Sequence, residues 1–218
     1  PPPPGVRVKP IRVTFQLFSR QVVDLSETVG SVVVLLRKTV RSIFTTRLDT
    51  KNVVAQMYEI GYQSFAVTSL TALFTGMVLA LQTGFSFKKV FNEPLYVGTV
   101  VGLSLLKELG PVLTAVVVAG RVGAAIAAEI GTMNVTEQVD ALFTLGTNPV
   151  RYLVVPRFLA CLLMVPILTV FADLIGIGGG YLVAHFRLGI PSSTFWDEIN
   201  AIELEDGFHG LIKSLAYA

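Results

Sequence analysis

The chain has 218 residues, of which 52% are hydrophobic and 15% are charged, with a formal net charge of +2. Soluble domains carry about a quarter charged residues, so this composition, with a mean hydropathy of +0.67, excludes an ordinary soluble domain and indicates a bilayer protein. The small net charge and the lack of a basic stripe with interleaved aromatic residues exclude nucleic acid as a partner. The single cysteine, Cys161, cannot form an intramolecular disulfide.

The first fifty residues divide into two segments. Residues 1–15 open with PPPPGVRVKP, a composition that predicts a disordered or polyproline tail. Residues 16–50 carry apolar residues at helical spacing with a basic cluster near the end, which predicts an amphipathic helix. We expect this helix to lie in the cytoplasmic interface of a membrane or, as an equally weighted alternative, to pack on the rest of the protein.

Three apolar runs follow, each longer than the roughly 20 helical residues that cross about 30 Å of hydrocarbon. They occupy residues 60–87, 94–130 and 158–184. The sequence therefore predicts an all-α integral membrane protein in which residues 51–218 form the membrane domain. We expect three complete spans and the start of a fourth near the C-terminus, as in a fragment of a longer membrane protein.

Basic residues beside the spans favour one orientation. Twelve lie in the N-terminal segment and in the loop after the second run: Arg7, Lys9, Arg12, Arg20, Arg37, Lys38, Arg41, Arg47, Lys51, Arg121, Arg151 and Arg157. Three lie on the opposite side: Lys88, Lys89 and Arg187. Cytoplasmic loops carry the excess of Lys and Arg, so we expect the N-terminus in the cytoplasm.

A polar segment, EIGTMNVTEQVDALFTLGTNP at 129–149, separates the second and third runs. Asn134 followed by Glu137 has the spacing of an N-cap with its reciprocal partner. Apolar residues then recur at helical spacing, and Gly146 and Pro149 end the pattern. We expect an eleven-residue cytoplasmic helix over 135–145. It serves either as a coupling helix that transmits force from a separate ATPase or as an ordinary interfacial helix in a loop.

Two longer motifs resemble the MlaE-type permease family. They are AGRVGAAIAAEIGTMNVTEQVDALFTLGTNPVRYLVVPRFLA at 119–160 and VVGLSLLKELGP at 100–111. The resemblance implies a homodimeric ABC transporter permease with an interfacial helix, a coupling helix and about five spans in the full family. The chain departs from the family at Asn148, where an Asp often precedes the proline.

The resemblance also implies a function and partners. Such permeases move phospholipid between the inner membrane and a periplasmic MCE-domain, MlaD-like protein, and plastid lipid permeases also belong to the family. A cytoplasmic MlaF-like ATPase drives transport, often with a STAS-domain, MlaB-like subunit. We therefore expect a multi-pass inner-membrane protein, or one of the plastid inner envelope if the source is a plant.

Charged residues inside apolar runs usually face a cavity or a partner, because burying one in a bilayer costs at least ~2.5 kcal/mol. The residues expected to line a substrate pathway are Lys107, Glu108, Pro111 and Asp173. In the functional interpretation, which the resemblance favours, Lys107 meets a lipid phosphate and Glu108 holds Lys107 or gates the pathway. In the structural one, both are solvated near the outer interface. Pro111 would kink or break the helix, and Asp173 is expected to bond a neighbouring helix rather than serve substrate.

Two further groups of residues are assigned roles in coupling and packing. The ATPase-coupling residues are Glu137, Gln138, Asp140, Leu142 and Phe143, of which the last two anchor the helix. Small residues at four-residue spacing let helices approach closely, and the set predicted to serve helix packing or dimerisation is Gly120, Ala124 and Ala128. The glycines of GIGGGY at 176–181 are likewise expected to serve packing.

No G-x-x-x-x-G-K-[ST] loop occurs in the sequence, so ATP and Mg²⁺ are expected to bind the partner ATPase, and no enzymatic activity is expected of this chain. His185 and His209 lack the spacing of a zinc site, and no metal is expected. Two alternative functions remain open on the residues alone. One is a non-transporting scaffold for cytoplasmic and periplasmic proteins, and the other is an exporter of small amphiphiles.

Overall fold

The computed structural model describes residues 10–45, 50–91 and 96–218, with only the backbone described for 10–22 and 44–45. Every regular element in these ranges is a helix, which confirms the predicted all-α class. The helices are α1 (Pro10–Thr45), α2 (Thr50–Phe91), α3 (Val97–Ser104), α4 (Gly110–Val135), α5 (Gln138–Thr144), α6 (Val155–Phe186), α7 (Ser192–Asn200) and α8 (Leu204–Tyr217). Two π-helical turns, Leu105–Leu109 and Val150–Val154, lead into α4 and α6.

Three helical stretches of the described chain are long and apolar enough to cross a membrane. They are Thr50–Phe91, Val97–Val135 and Val150–Phe186. Each overlaps one of the three predicted apolar runs, so the prediction of three spans is confirmed as a property of length and composition. The second stretch is continuous through α3, the first π-helical turn and α4.

Helix α1 stands apart from this bundle over most of its length. It begins at Pro10 rather than at Gln16, and a proline suits the first turn of a helix because that position needs no N–H donor. Near its C-terminal end the helix packs on the second π-helical turn and on α6, and Thr39 is buried there. Ile43 is half-buried, and the other described apolar side chains of the helix are exposed: Val23, Leu25, Val29, Val32, Val33, Val34, Leu35, Leu36 and Val40. The predicted tail, residues 1–15, is wrong for residues 10–15, which belong to α1, and residues 1–9 lie outside the described residues.

Helices α2 and α6 form the most extensive pair in the bundle. Small residues at every fourth position of α2 are buried along this contact: Ser64, Thr68, Ala72, Gly76, Ala80 and Gly84. A methyl carbon added to Gly76 would lie 1.8 Å from the carbonyl oxygen of Gly176, and one added to Gly179 would overlap the carbonyl of Leu73. The two backbones are therefore in direct contact, and the prediction that the glycines of 176–181 serve packing is confirmed for Gly176, Gly179 and Gly180.

Helix α3, which begins the second span, packs against α2 and α7. The side chain of Phe195 on α7 is buried in an apolar cluster with Val97, Val101 and Ile190. Glu198 Oε2 accepts hydrogen bonds from the backbone N–H groups of Gly98, at 2.7 Å, and Thr99, at 3.3 Å. The first N–H groups of a helix have no partner within it, so a carboxylate from α7 serves as the N-cap of α3 at a distance of a hundred residues in sequence.

Candidate functional site

The predicted pathway residues Lys107 and Glu108 lie in the first π-helical turn, with side chains 44% and 63% exposed. They do not hold each other, as one interpretation of the sequence had it. Lys107 Nζ lies 2.7 Å from Asp206 Oδ1, and Glu108 pairs with Lys213 Nζ. Both partners belong to α8, so the adjacent charges of the turn are each neutralised by a residue of another helix.

Asp206 and Lys213 were missed in the sequence analysis, although their pattern was present. They are seven residues apart on a helix, which places them on one face two turns from each other. Their charges are opposite in sign and complement the adjacent pair at 107 and 108. A single pair of charged residues at this spacing is common on solvated helices, which is why it carried no prediction.

Pro111 does not interrupt the helical backbone. It changes the donor that bonds to one backbone carbonyl. The turn before it is π-helical, with the Gly110 N–H bonded to the carbonyl of Leu105. Proline has no N–H to donate to the carbonyl four residues earlier, and that carbonyl, of Lys107, accepts instead from Lys213 Nζ at 3.1 Å. The predicted kink or break is therefore a widened helical turn, and a side chain from α8 takes the acceptor that proline leaves free.

Helix α8 approaches this turn closely. A methyl carbon added to Gly210 would lie 1.9 Å from the carbonyl oxygen of Leu106, so only a glycine allows this contact. Gly210 is one turn after Asp206 and about one turn before Lys213. The face of α8 that contains these three residues is thus seated against the π-helical turn.

Asp173 is buried in α6 beside the junction between the turn and α4. Its Oδ1 atom has no hydrogen-bond partner among the described residues, and it lies against the Cα of Gly110. The bond to a neighbouring helix that the sequence analysis expected is therefore not found at this atom. Asp173 borders a cavity of about 230 Å³ whose other walls are mainly apolar side chains of the turn, α6 and α8: Leu106, Val170, Leu174, Ile177, Leu204, Phe208 and Leu211.

The polar segment forms a helix, but its start was predicted wrongly. Helix α4 continues through Asn134, because Thr136 N–H still bonds the carbonyl of Thr132 at 3.0 Å. Asn134 is therefore no N-cap. Glu137 occupies the N-cap position with a left-handed φ of 57° and without a side-chain cap bond. The helix α5 that follows has seven residues rather than eleven.

The end of α5 agrees with the sequence. Gly146 has φ 72°, the conformation expected of a glycine after a helix. Its N–H bonds the carbonyl of Phe143, and Thr147 N–H bonds that of Leu142, both at 3.0 Å, which is the Schellman pattern. Asn148 Oδ1 then accepts from Val150 N–H at 3.0 Å and caps the next turn.

The predicted coupling residues lie on a largely open surface. Glu137, Gln138, Asp140 and Phe143 are exposed, and Leu142 is half-buried. Of the two residues predicted to anchor the helix, Leu142 has partial cover, whereas Phe143 is 64% exposed and borders a cleft shared with Lys38 of α1. Asn148, where the family often has Asp, uses its side-chain oxygen to cap the second π-helical turn. Asn and Asp oxygens cap equally well.

A polar cavity of about 550 Å³ lies at the base of α5, between α2, α4 and α6. Gln138 of α5 and Gln56 of α2 are among its lining residues. At its wall, the buried guanidinium of Arg157 pairs with Glu129, and its Nη1 atom has no hydrogen-bond partner among the described residues. Arg157 is thus an internal tie between α4 and α6. Arg121 Nη2 bonds Gln63 of α2 at 3.4 Å.

The residues predicted to serve packing or dimerisation do not pack against other parts of the described structure. Gly120, Ala124 and Ala128 are exposed on α4. A methyl carbon added to Gly120 would meet no atom within 4 Å in the described structure. The intramolecular seam of small residues is that of α2 with α6, and the α4 stripe remains open.

Three apolar helical stretches, a short helix held between the second and third, and charges set into the second together define a multi-pass helical membrane protein of the transporter type. The chain belongs to the MlaE permease family: the family model described as Permease MlaE matches residues 53–218. The resemblance of the two motifs to this family is thereby confirmed, and the chain is an ABC transporter permease.

Similar proteins agree with this assignment. A probable ABC transporter permease protein of Rickettsia typhi is 42% identical over 204 residues, which cover 92% of this chain and 78% of the relative. One from Synechocystis is 46% identical over 176 residues, covering 80% of this chain and 66% of the relative. One from the red alga Pyropia yezoensis is 40% identical over 175 residues, with 80% and 66% covered. A permease of an ABC transporter works with an ATPase, so an ATPase partner follows from the family.

Proposed function

We propose that this chain is the permease through which an ABC transporter moves phospholipid between the inner membrane and a periplasmic MCE-domain, MlaD-like partner. The observation that carries the proposal is the pair Lys107 and Glu108. These charges lie within a stretch long enough to span the bilayer, yet their side chains are about half exposed. A charge within a membrane-spanning stretch is tolerated beside a cavity or a partner. A headgroup site provides such an environment.

A two-tailed lipid needs both a charged and an apolar surface, and the two adjoin here. Lys107 would bind the phosphate through its ammonium group, which is a compact charge with three donors. The cavity of about 230 Å³ next to the turn is lined mainly by apolar side chains and would receive part of an acyl chain. Glu108 and Asp173 would set the charge at the mouth and wall of this cavity, and Pro111 keeps the turn wide.

Coupling to the ATPase would use α5. Its exposed residues Glu137, Gln138, Asp140 and Phe143 would contact a MlaF-like ATPase, which binds ATP and Mg²⁺ itself. Force would pass to both neighbouring spans, because only Thr136 and the left-handed Glu137 separate α4 from α5, and α5 leads towards α6 through the cap at Asn148. The pair of Arg157 with Glu129 would keep α4 and α6 in register at that point.

The remaining parts of the assembly follow from the same proposal. The basic flanks favour a cytoplasmic N-terminus, and the exposed apolar residues of α1 from Val23 to Val40 suit a helix lying in the membrane interface. The open stripe of Gly120, Ala124 and Ala128 would form the contact with a second copy in a homodimer. A STAS-domain, MlaB-like subunit would bind on the ATPase side.

The test is recovery of the full-length protein from its native locus in mild detergent, followed by native mass spectrometry of what remains bound. We expect an ATPase pair, MCE-domain subunits and phospholipid. Replacing Lys107 and Glu108 by leucine should remove the phospholipid and leave the ATPase bound. A scaffold would keep its partners and normal lipid traffic with the double variant. A different bound amphiphile would identify an exporter, and loss of the ATPase from the unmodified protein would refute the coupling role of α5.

A further inference from the structure

Helix α8 makes three contacts with the π-helical turn that have no role in the proposed function. Asp206 pairs with Lys107, Gly210 packs on the carbonyl of Leu106, and Lys213 pairs with Glu108. The three α8 residues are spaced by four and three positions, so they form one face of the helix. That face supplies a negative and a positive charge to a turn that presents a positive and a negative one.

The carboxylate of Asp206 can take the place of a phosphate at Lys107, because both groups are anions that accept hydrogen bonds through oxygen. It lies 2.7 Å from Lys107 Nζ, a hydrogen-bonded ion-pair distance, and only 18% of its side chain is exposed. A phosphodiester oxygen would need to come equally close to the same ammonium. The carboxylate and the phosphate therefore compete for one cation, and both cannot neutralise it fully.

Lys213 acts on the neighbouring charge in the opposite sense. Its Nζ atom contacts both the carboxylate of Glu108 and, at 3.1 Å, the carbonyl of Lys107. It thereby neutralises an anion that would otherwise repel an incoming phosphate. The same contact supports the backbone acceptor that Pro111 leaves free, so Lys213 also fixes the position of Lys107.

We propose that Asp206 is the resident anion of the lipid pathway: it neutralises Lys107 in the empty permease, and the phosphodiester of the substrate displaces it. Lys213 is the matching positioning residue, which neutralises Glu108 and holds the turn. The inference rests on the proposed function, in which Lys107 binds the phosphate. In the empty site Lys107 and Glu108 are then both neutralised, and the returning carboxylate assists release of the lipid.

The expected effects have opposite signs, which separates this role from a structural one. The Lys107–Asp206 pair is partly exposed, and exposed ion pairs are weak, so removing the competitor by Asp206→Asn should tighten phospholipid binding by roughly two- to fivefold. Lys213→Met should weaken binding, because Glu108 becomes an unneutralised anion beside the phosphate. Loss of α8 seating alone would move both variants in the same direction.

The measurement uses the delipidated complex of the permease with its ATPase in detergent micelles, titrated with fluorescent phosphatidylglycerol. Glu205→Gln is the matched control, since it removes an equal charge from the adjacent exposed position, and Asp206→Glu should bind like the unmodified protein.

Different results would refute the resident-anion inference and the proposed function. If Lys107→Met weakens binding but Asp206→Asn behaves like Glu205→Gln, or binds more weakly than the unmodified protein, the resident-anion inference is refuted and the proposed function stands. If Lys107→Met binds phosphatidylglycerol as tightly as the unmodified protein, Lys107 is not the phosphate site and both fall.

Discussion

The contact between α2 and α6 makes a quantitative prediction about single methyl groups. In Gly76→Ala the new carbon would lie 1.8 Å from the carbonyl oxygen of Gly176, whereas side-chain Cβ atoms essentially never come within 3.0 Å of a neighbour. The helices must separate by more than an ångström locally, and no rotamer change can help because both partners are backbone. Overpacking of this kind costs about 1–3 kcal/mol, and alanine returns up to ~1 kcal/mol of helix propensity. We expect a net loss of about 1–2 kcal/mol.

The matched control is Gly178→Ala in α6, at a position outside the contact with α2. Gly178 lies two residues from Gly176 in α6, and a methyl carbon added there would meet nothing within 4 Å. This variant should gain stability or be unchanged, because only the propensity term remains. The assay is the temperature at which half of the detergent-solubilised protein remains monodisperse by size-exclusion chromatography. Equal midpoints for the two variants, or a lower one for Gly178→Ala, would refute the packing argument.

Three further predictions test the caps and the internal tie. Glu198→Ala should deprotect the Gly98 amide in hydrogen exchange by roughly fivefold or more, since a lost cap costs about 1 kcal/mol; unchanged protection would mean that this bond does not cap α3. Asn148→Ala should increase exchange at the start of the Val150–Val154 turn whereas Asn148→Asp should not, and equal exchange in both would contradict the cap. Glu129→Gln leaves the buried Arg157 guanidinium without its charge partner, so it should lower stability by about 1–3 kcal/mol, and an unchanged thermal midpoint would rule out the tie.

The spans were predictable because their physical cause is local. Twenty consecutive apolar residues need only each other to form a membrane helix, so the three runs could be located without tertiary information. The end of α5 was equally local, since a left-handed residue favours glycine wherever it occurs, and Gly146 has φ 72°. The family followed from two motifs, at 100–111 and 119–160, that together are too long to match the family by chance.

The start of α5 could not be obtained in this way. Asn134 and Glu137 have the spacing of a capping box, but a cap forms only where the preceding helix has ended. The bond from Thr136 N–H to the carbonyl of Thr132 continues α4 past that point. The turn then falls at Glu137, a residue type that sequence statistics do not place in a left-handed conformation.

Two of the four charged residues paired at the first π-helical turn could be predicted, because only those two are identified by their local sequence. The energetic cost of a charge in an apolar run identified Lys107 and Glu108, but their partners are about a hundred residues away in sequence. Which stripe of small residues packs inside the chain was also undetermined, because α2 and α4 both carry one. Only the structure shows that Gly76 is covered by α6 while Gly120 lies open.

The direct backbone contact between α2 and α6 also bears on mechanical stiffness. Side chains between two helices can change rotamer and let them slide, whereas a carbonyl oxygen against a glycine Cα has no such freedom. The pair should behave as one rigid rod through any transport cycle. The contact of Gly210 with the Leu106 carbonyl is of the same kind, so α8 and the turn should also move together, and motion is left to contacts made by side chains alone. A disulfide engineered between α2 and α6 should therefore leave transport intact.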